Sequence, residues 1–299
     1  MSARLEKGFT ILELVIAMAI LGVLTAGIFS LYNSQHRVTH IEADVVDVQQ
    51  NLRMSLDSVS RDVRMAGFAL TNAANPIGAS GNGSGLGGSD TFTINIAGAL
   101  GVATRLDADQ SATVTSGTPL TFTVLAGEVS LFEAGDAIRI IHTGDKSQPA
   151  DTVFVVNSVD PAGPTITATP STTAGAVEFK RGFLVVKTGE AAPDTFPNTV
   201  VYCLGPDAGC ASAVACPAGN CLMRVVNGSA DAGSIVASNI QDMQVSYVLD
   251  DGTTSAAPAN LFQVRDVVVT VSGQTEATAG LSGAAKTREM TVSAKIRNR

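Results

Sequence analysis

From Phe9 the chain is apolar for about 23 residues, through Leu31, with Glu13 as the only charge. As a helix rising 1.5 Å per residue the run reaches roughly 35 Å, enough to cross a bilayer core with some tilt. Beyond it, Ile41, Val45, Val48, Leu52, Leu56, Val59 and Val63 recur at steps of three and four, which lays an apolar stripe along one face of a helix. The two halves predict a single helix from Phe9 to Met65, about 85 Å long, half of it in a membrane and half docked on a globular domain. Arg64 in the last turn and Gly67 just beyond it mark the exit.

After the helix the period changes. Residues 71–90 are rich in Asn, Gly and Ser and read as a flexible connection. Candidate strands then lie near Thr91–Ala97, Leu120–Leu125, Ala137–His142, Val153–Val159, Val177–Lys187, Thr199–Leu204, Cys221–Val226, Met243–Leu249, Val264–Ser272 and Glu289–Ile296. Alternation such as Phe92, Ile94, Ile96 is that of half-buried sheet. The helical stripe needs such a face to cover it. The expected class is therefore α+β, a long N-terminal spine helix packed on antiparallel β-sheet, with residues 91–190 as a candidate inserted β subdomain.

Composition narrows the setting. The 299 residues carry 45% hydrophobic and 15% charged side chains with 29 glycines, which suits short strands and turns rather than a helical enzyme. The formal charge is -8 and no Lys/Arg stripe is present, so nucleic acid is not an expected partner. Arg4 and Lys7 precede the apolar run and Glu42, Asp44 and Asp47 follow it, which places the N-terminus in the cytoplasm and the rest outside. A secretory signal would be cut behind its apolar region after small residues; here the run is about twice the usual length and flows into the amphipathic helix, so it reads as retained. A carboxylate four residues into the membrane costs on the order of 3 kcal/mol unless it is paired.

The stretch Gly8-Phe9-Thr10-Ile11-Leu12-Glu13-Leu14-Val15-Ile16-Ala17 resembles the prepilin processing site of type IV pilins and pseudopilins. The resemblance implies cleavage between Gly8 and Phe9 by the prepilin peptidase, N-methylation of Phe9, and pairing of Glu13 with the Phe9 amine of a neighbouring subunit in a filament. The alternative for Glu13 is pairing with its own helix N-terminus. On this resemblance residues 1–8 are a cleaved leader, 9–31 the transmembrane and filament-core half of the helix, 32–66 its amphipathic half and 67–299 a periplasmic β-rich domain. Many major pilins carry a proline just after the apolar run, and none stands there in this chain. A second resemblance, to PilW-type minor pilins, rests on Arg64-Met65-Ala66-Gly67-Phe68, on Ile240-Gln241-Asp242-Met243-Gln244-Val245-Ser246-Tyr247, on Asp250-Asp251-Gly252, on Val264-Arg265-Asp266-Val267-Val268-Val269 and on the ending Ile296-Arg297-Asn298-Arg299. Pseudopilins of the GspJ type share the layout.

Four cysteines, Cys203, Cys210, Cys216 and Cys221, fall within one short segment. In an exported domain they are expected as two disulfides, with three possible pairings; a zinc site of four thiolates fits poorly because the spacings exceed the close pairs such sites use. His36 and His40 stand four apart on the helix, but Arg37 sits where a zinc protease needs Glu, and both read as solvated stalk residues. His142 has no nucleophile elbow with it. Asp250-Asp251-Gly252 reads as a turn rather than a calcium loop, and Gly81–Gly88 as linker rather than phosphate loop. No catalytic set and no cofactor are expected. The function expected from sequence is a minor pilin that passes from the inner membrane into an extracellular type IV pilus-like filament, priming its assembly or building its tip. A GspJ-type pseudopilin of type II secretion and a filament-tip adhesion module are the competing readings.

Overall fold

The structure is a computed structural model and describes residues 10–70, 75–78, 81–96, 102–142, 149–189, 198–205, 210, 216, 220–226, 234–275 and 285–298. The helix α1 runs without interruption over Ile11–Met65. It is capped by Thr10, whose hydroxyl accepts from the Glu13 N–H while the Glu13 carboxylate accepts from the Thr10 N–H, a reciprocal capping box. Every residue from 10 to 40 is exposed; burial begins at Ile41 and becomes complete at Val48. Val48, Leu52, Leu56, Val59 and Val63 are then buried in turn, as the stripe predicts.

The docked half of α1 packs against two four-stranded antiparallel sheets. The first has the order β1 (Phe92–Ile96), β10 (Asn198–Gly205), β11 (Cys221–Val226), β12 (Ile235–Ser238). The second has the order β14 (Thr254–Ser255), β13 (Ile240–Leu249), β15 (Val264–Gln274), β16 (Thr287–Lys295). Asn239, at φ 61°, turns the chain from β12 into β13. One core joins Leu52, Leu56 and Val59 of the helix to Phe92, Ile94 and Tyr202 of the first sheet and to Val245, Tyr247 and Val269 of the second.

Between β1 and β10 the chain leaves this layer and builds a second core. The sheet order is β2 (Ala103–Arg105), β9 (Leu184–Gly189), β5 (Ala137–Ile141), β6 (Phe154–Asp160), β7 (Thr165–Pro170), β4 (Leu120–Thr123). A bridge between Leu106 and Val124 joins its two outer strands, so the six strands close on themselves and leave little free edge. The ribbon β3 (Gln110–Val114) and β8 (Gly175–Phe179) stands beside it. Inside, Phe122 meets Phe154 and Phe179 edge-on at centroid distances of 5.4 and 5.2 Å. On its outer face Ile141 and Val186 pack on Ala69 and Leu70 just past the helix exit. The last residue of β1 and the first of β10, Ile96 and Asn198, are register partners, so the excursion starts and returns at one rung of the first sheet.

Three expectations need correction. Phe92–Ile96, placed by sequence at the start of the 91–190 insertion, belongs to the helix-covering sheet, because its alternate residues Phe92 and Ile94 are needed there as core. The strand expected over Val177–Lys187 is two, broken by a turn with Gly182 at φ 88°, and its halves pair with different partners. The connection expected over 71–90 is structured where it is described: Ile77 is fully buried and bridges to Ile94, and the buried Asp90 accepts from Gly83 N–H at 2.6 Å and Val245 N–H at 2.7 Å.

The helix exit depends on Gly67, whose φ of 79° favours glycine and whose missing Cβ leaves room for the Asn298 carbonyl. Asn298 in turn donates through Nδ2 to the carbonyls of Arg64 and Ala66 at 3.3 Å each. Gly67→Ala is expected to lower the stability of the globular part by roughly 1–3 kcal/mol, combining a left-handed backbone with a steric clash. A thermal melt whose midpoint matches the unmodified protein would contradict this account.

Candidate assembly interface

The first thirty residues of α1 leave their apolar side chains uncovered. Ile11 is 83% exposed, Val23 75% and Phe29 65%. This part of the helix is long and apolar enough to cross a membrane, and its most apolar stretch is not covered by any of the described residues. A core helix of a soluble protein is equally apolar but is covered by its own chain; this one needs lipid or other helices.

Glu13 lies within this surface, near the helix start. Its Oε2 accepts from the Thr10 N–H and the Thr10 hydroxyl, both at 3.0 Å, and its own N–H donates to Thr10 Oγ1 at 3.3 Å. Thr10 therefore holds the carboxylate against the helix N-terminus, where the free N–H groups and the macrodipole favour negative charge. Oε1 meets no donor among the described residues. Gly8 and Phe9 lie outside the described residues.

A polar cluster fixes the docked half of the helix to the first sheet. Asp62 is buried on the flank of the apolar stripe, and its Oδ2 accepts from the Tyr202 hydroxyl at 2.8 Å and from Arg224 Nε at 2.6 Å. The Ser58 hydroxyl, one helical turn earlier, lies 2.8 Å from the same phenol. Burial, and next the Asp62 charge, push the Tyr202 phenol well above its usual value near 10. Partial burial works against the Arg224 charge, and the Asp62 hydrogen bond and field more than offset it, so Arg224 is held more firmly charged than usual. Sequence reasoning did not find this cluster. Its one signal was an acidic residue directly beside Val63, inside a face that otherwise packs on sheet.

The cysteines form two disulfides, Cys203–Cys210 and Cys216–Cys221, each with Cα atoms 5.7 Å apart. All four thiols are thereby consumed, which removes the zinc alternative. They gather with Met223 and Val225 beyond the Tyr202 and Arg224 positions, at the end of the β10–β11 pair where Gly205 faces Cys221. The other candidates are dispersed. The His142 ring packs edge-on against Phe183 at 4.8 Å, while Asp251 closes its turn by accepting from the Thr253 N–H and hydroxyl at 2.8 and 2.7 Å. His36 and His40 stand on the exposed stalk.

Residues 3–29 match the family described as the prokaryotic N-terminal methylation motif. No curated protein and no solved structure matches the chain. The motif supports a type IV pilin-like protein, with the association with other pilins and the processing by prepilin peptidase that this implies.

The Asp62 cluster gives two expected outcomes. Tyr202→Phe removes one donor from a buried carboxylate and is expected to cost about 1–3 kcal/mol in chemical denaturation. In the unmodified protein, stability is retained below the phenol's unfolded value near 10 and falls as pH rises above it, because the unfolded chain releases a proton that the native one keeps. Tyr202→Phe should flatten that alkaline decline; an equally steep decline in the variant would assign it to other groups.

Proposed function

We propose that this type IV pilin-like chain is a minor subunit that enters a type IV pilus-like filament and takes part in priming its assembly or building its tip. The observation that carries the proposal is the uncovered apolar half of α1 with Glu13 near its start, joined rigidly to a folded domain. In this reading residues 1–8 are removed by the prepilin peptidase by cleavage between Gly8 and Phe9, and Phe9 is N-methylated. Residues 9–31 hold the subunit in the inner membrane with its N-terminus in the cytoplasm, residues 32–66 form the amphipathic half of the spine, and residues 67–299 are periplasmic until the filament extends outside.

The chemistry of entry follows from solvation. In lipid a lone carboxylate is costly, and the Thr10 capping box meets part of that cost before assembly. When helices bundle, apolar side chains exchange lipid for one another and the Glu13 carboxylate pairs with the amine at Phe9 of a neighbouring subunit, neutralising both in a medium that strengthens the attraction. The folded domain then selects which neighbour fits. The closed strand unit between β1 and β10 supports a minor rather than a repeating role, since it adds bulk beside the helix exit that every neighbour would have to accommodate.

Glu13→Gln is expected to leave membrane insertion intact and to reduce filament entry at least tenfold, read by immunoblot of sheared filaments against the membrane fraction. Wild-type entry by this variant contradicts the pairing. Gly8→Val should leave a precursor of slower gel mobility that retains residues 1–8. For the role in the filament, deletion of the gene should lower the number of surface filaments; normal filament numbers with lost adhesion would favour a binding module at the tip, and lost protein secretion with intact pili would favour a GspJ-type pseudopilin.

A further inference from the structure

Residues 32–47 are the part of the spine between the apolar run and the docked half, uncovered by the described residues up to His40 and only partly covered from Ile41 to Asp47. The apolar run ends at Leu31 and complete burial begins at Val48, and every residue from 32 to 40 is exposed. The sequence there is rich in weak helix formers: Asn33, Ser34, His36, Val38, Thr39, His40, Asp44, Val45, Val46 and Asp47 all lie in the lower half of the propensity scale. Thr39 also donates its hydroxyl back to the Gln35 carbonyl at 3.0 Å, which competes with the helical ladder. Helix in such a stretch needs a local stabiliser, because most helical stability comes from packing.

Within this stretch the rings of His36 and His40, one turn apart on the same face, stand with centroids 4.5 Å apart and planes inclined by 51°. A metal-bound imidazole has a metal–nitrogen bond of about 2.0–2.1 Å, which places the ring centre roughly 3.2 Å from the ion; two such rings at angles between square and tetrahedral have centres about 4.5–5.2 Å apart. The observed centroid separation lies at the lower end of that interval, a spacing that admits one ion between a nitrogen of each ring. Arg37 projects about 100° around the helix axis from His36, so its charge lies off the face the two imidazoles share. Among the described residues no group of three or more His, Cys, Asp and Glu side chains converges on one ion, so the pair offers two ligands and leaves the other positions to water.

We propose that His36 and His40 chelate one borderline divalent transition-metal ion of the zinc and copper class, and that the chelate clamps the weak turn of the stalk in helical form. Imidazole nitrogen suits these ions, and a chelate spanning four residues binds only when the intervening turn is helical. Binding free energy therefore becomes helix stability at this position. The proposal does not depend on filament entry, since the pair is complete within one chain.

The test uses the full chain in detergent micelles with zinc chloride as the probe. Isothermal titration is expected to give one site with a dissociation constant on the order of micromolar, and either His36→Gln or His40→Gln should weaken it at least tenfold. His142→Gln should leave it unchanged. Hydrogen exchange of amides 33–43 should slow several-fold at saturating zinc in the unmodified protein and not in the double variant. Circular dichroism checks that the variants keep their helix, and copper electron paramagnetic resonance should report two nitrogen ligands. The proposal is overturned if the double variant binds zinc as tightly as the unmodified protein, if one histidine suffices, or if zinc binds without slowing exchange.

Discussion

The rest of the molecule is arranged around a conflict along one rigid rod. α1 is 55 residues of continuous helix, and its two halves ask for different surroundings. The first carries apolar side chains on all sides and is stable only in lipid or against other helices. The second carries them on one stripe and needs a sheet. Because a helix transmits direction over its whole length, whatever fixes the second half also aims the first. Docking is consequently more than burial: Val48 through Val63 supply the apolar contact, and the Asp62, Tyr202 and Arg224 cluster sets the rotation of the helix about its axis. A stripe of branched aliphatics can slide or roll by a fraction of a turn at little cost, whereas a buried carboxylate with two directional donors cannot.

The two sheets under the helix and the closed unit beyond them divide the work differently. The sheets share one core with the spine, so their strands are tied to the position of α1. The closed unit has its own aromatic centre and meets the remainder through a small apolar patch formed by Ala69, Leu70, Ile141 and Val186. Closure through Leu106 and Val124 limits the unpaired strand edge that this unit presents to its surroundings.

Much of this was legible from residues alone where period and length were long. The helix, its stripe, its exit at Gly67 and the antiparallel α+β class follow from spacings of three and four and from alternation. The motif around Glu13 agrees with the family match over residues 3–29. What was not legible depends on partners distant in sequence. Ala103–Arg105, Gln110–Val114 and Ile235–Ser238 are short strands with few large apolar residues, and they become strands through their neighbours. Asp90, in a stretch that reads as linker, is buried because it satisfies backbone donors from two separate segments. The cysteine pairing was open among three arrangements, and the structure links sequence neighbours within each half of the segment.

The pairing of Ile96 with Asn198 has a consequence for how such a chain can change over time. To the first sheet, everything between those residues is the connection of a hairpin, whatever its size. A short turn and a closed six-stranded body are interchangeable in that position, because both deliver the chain to the same rung. The surface that this region displays can therefore be enlarged, trimmed or replaced while the rod, its aim and its membrane segment stay as they are.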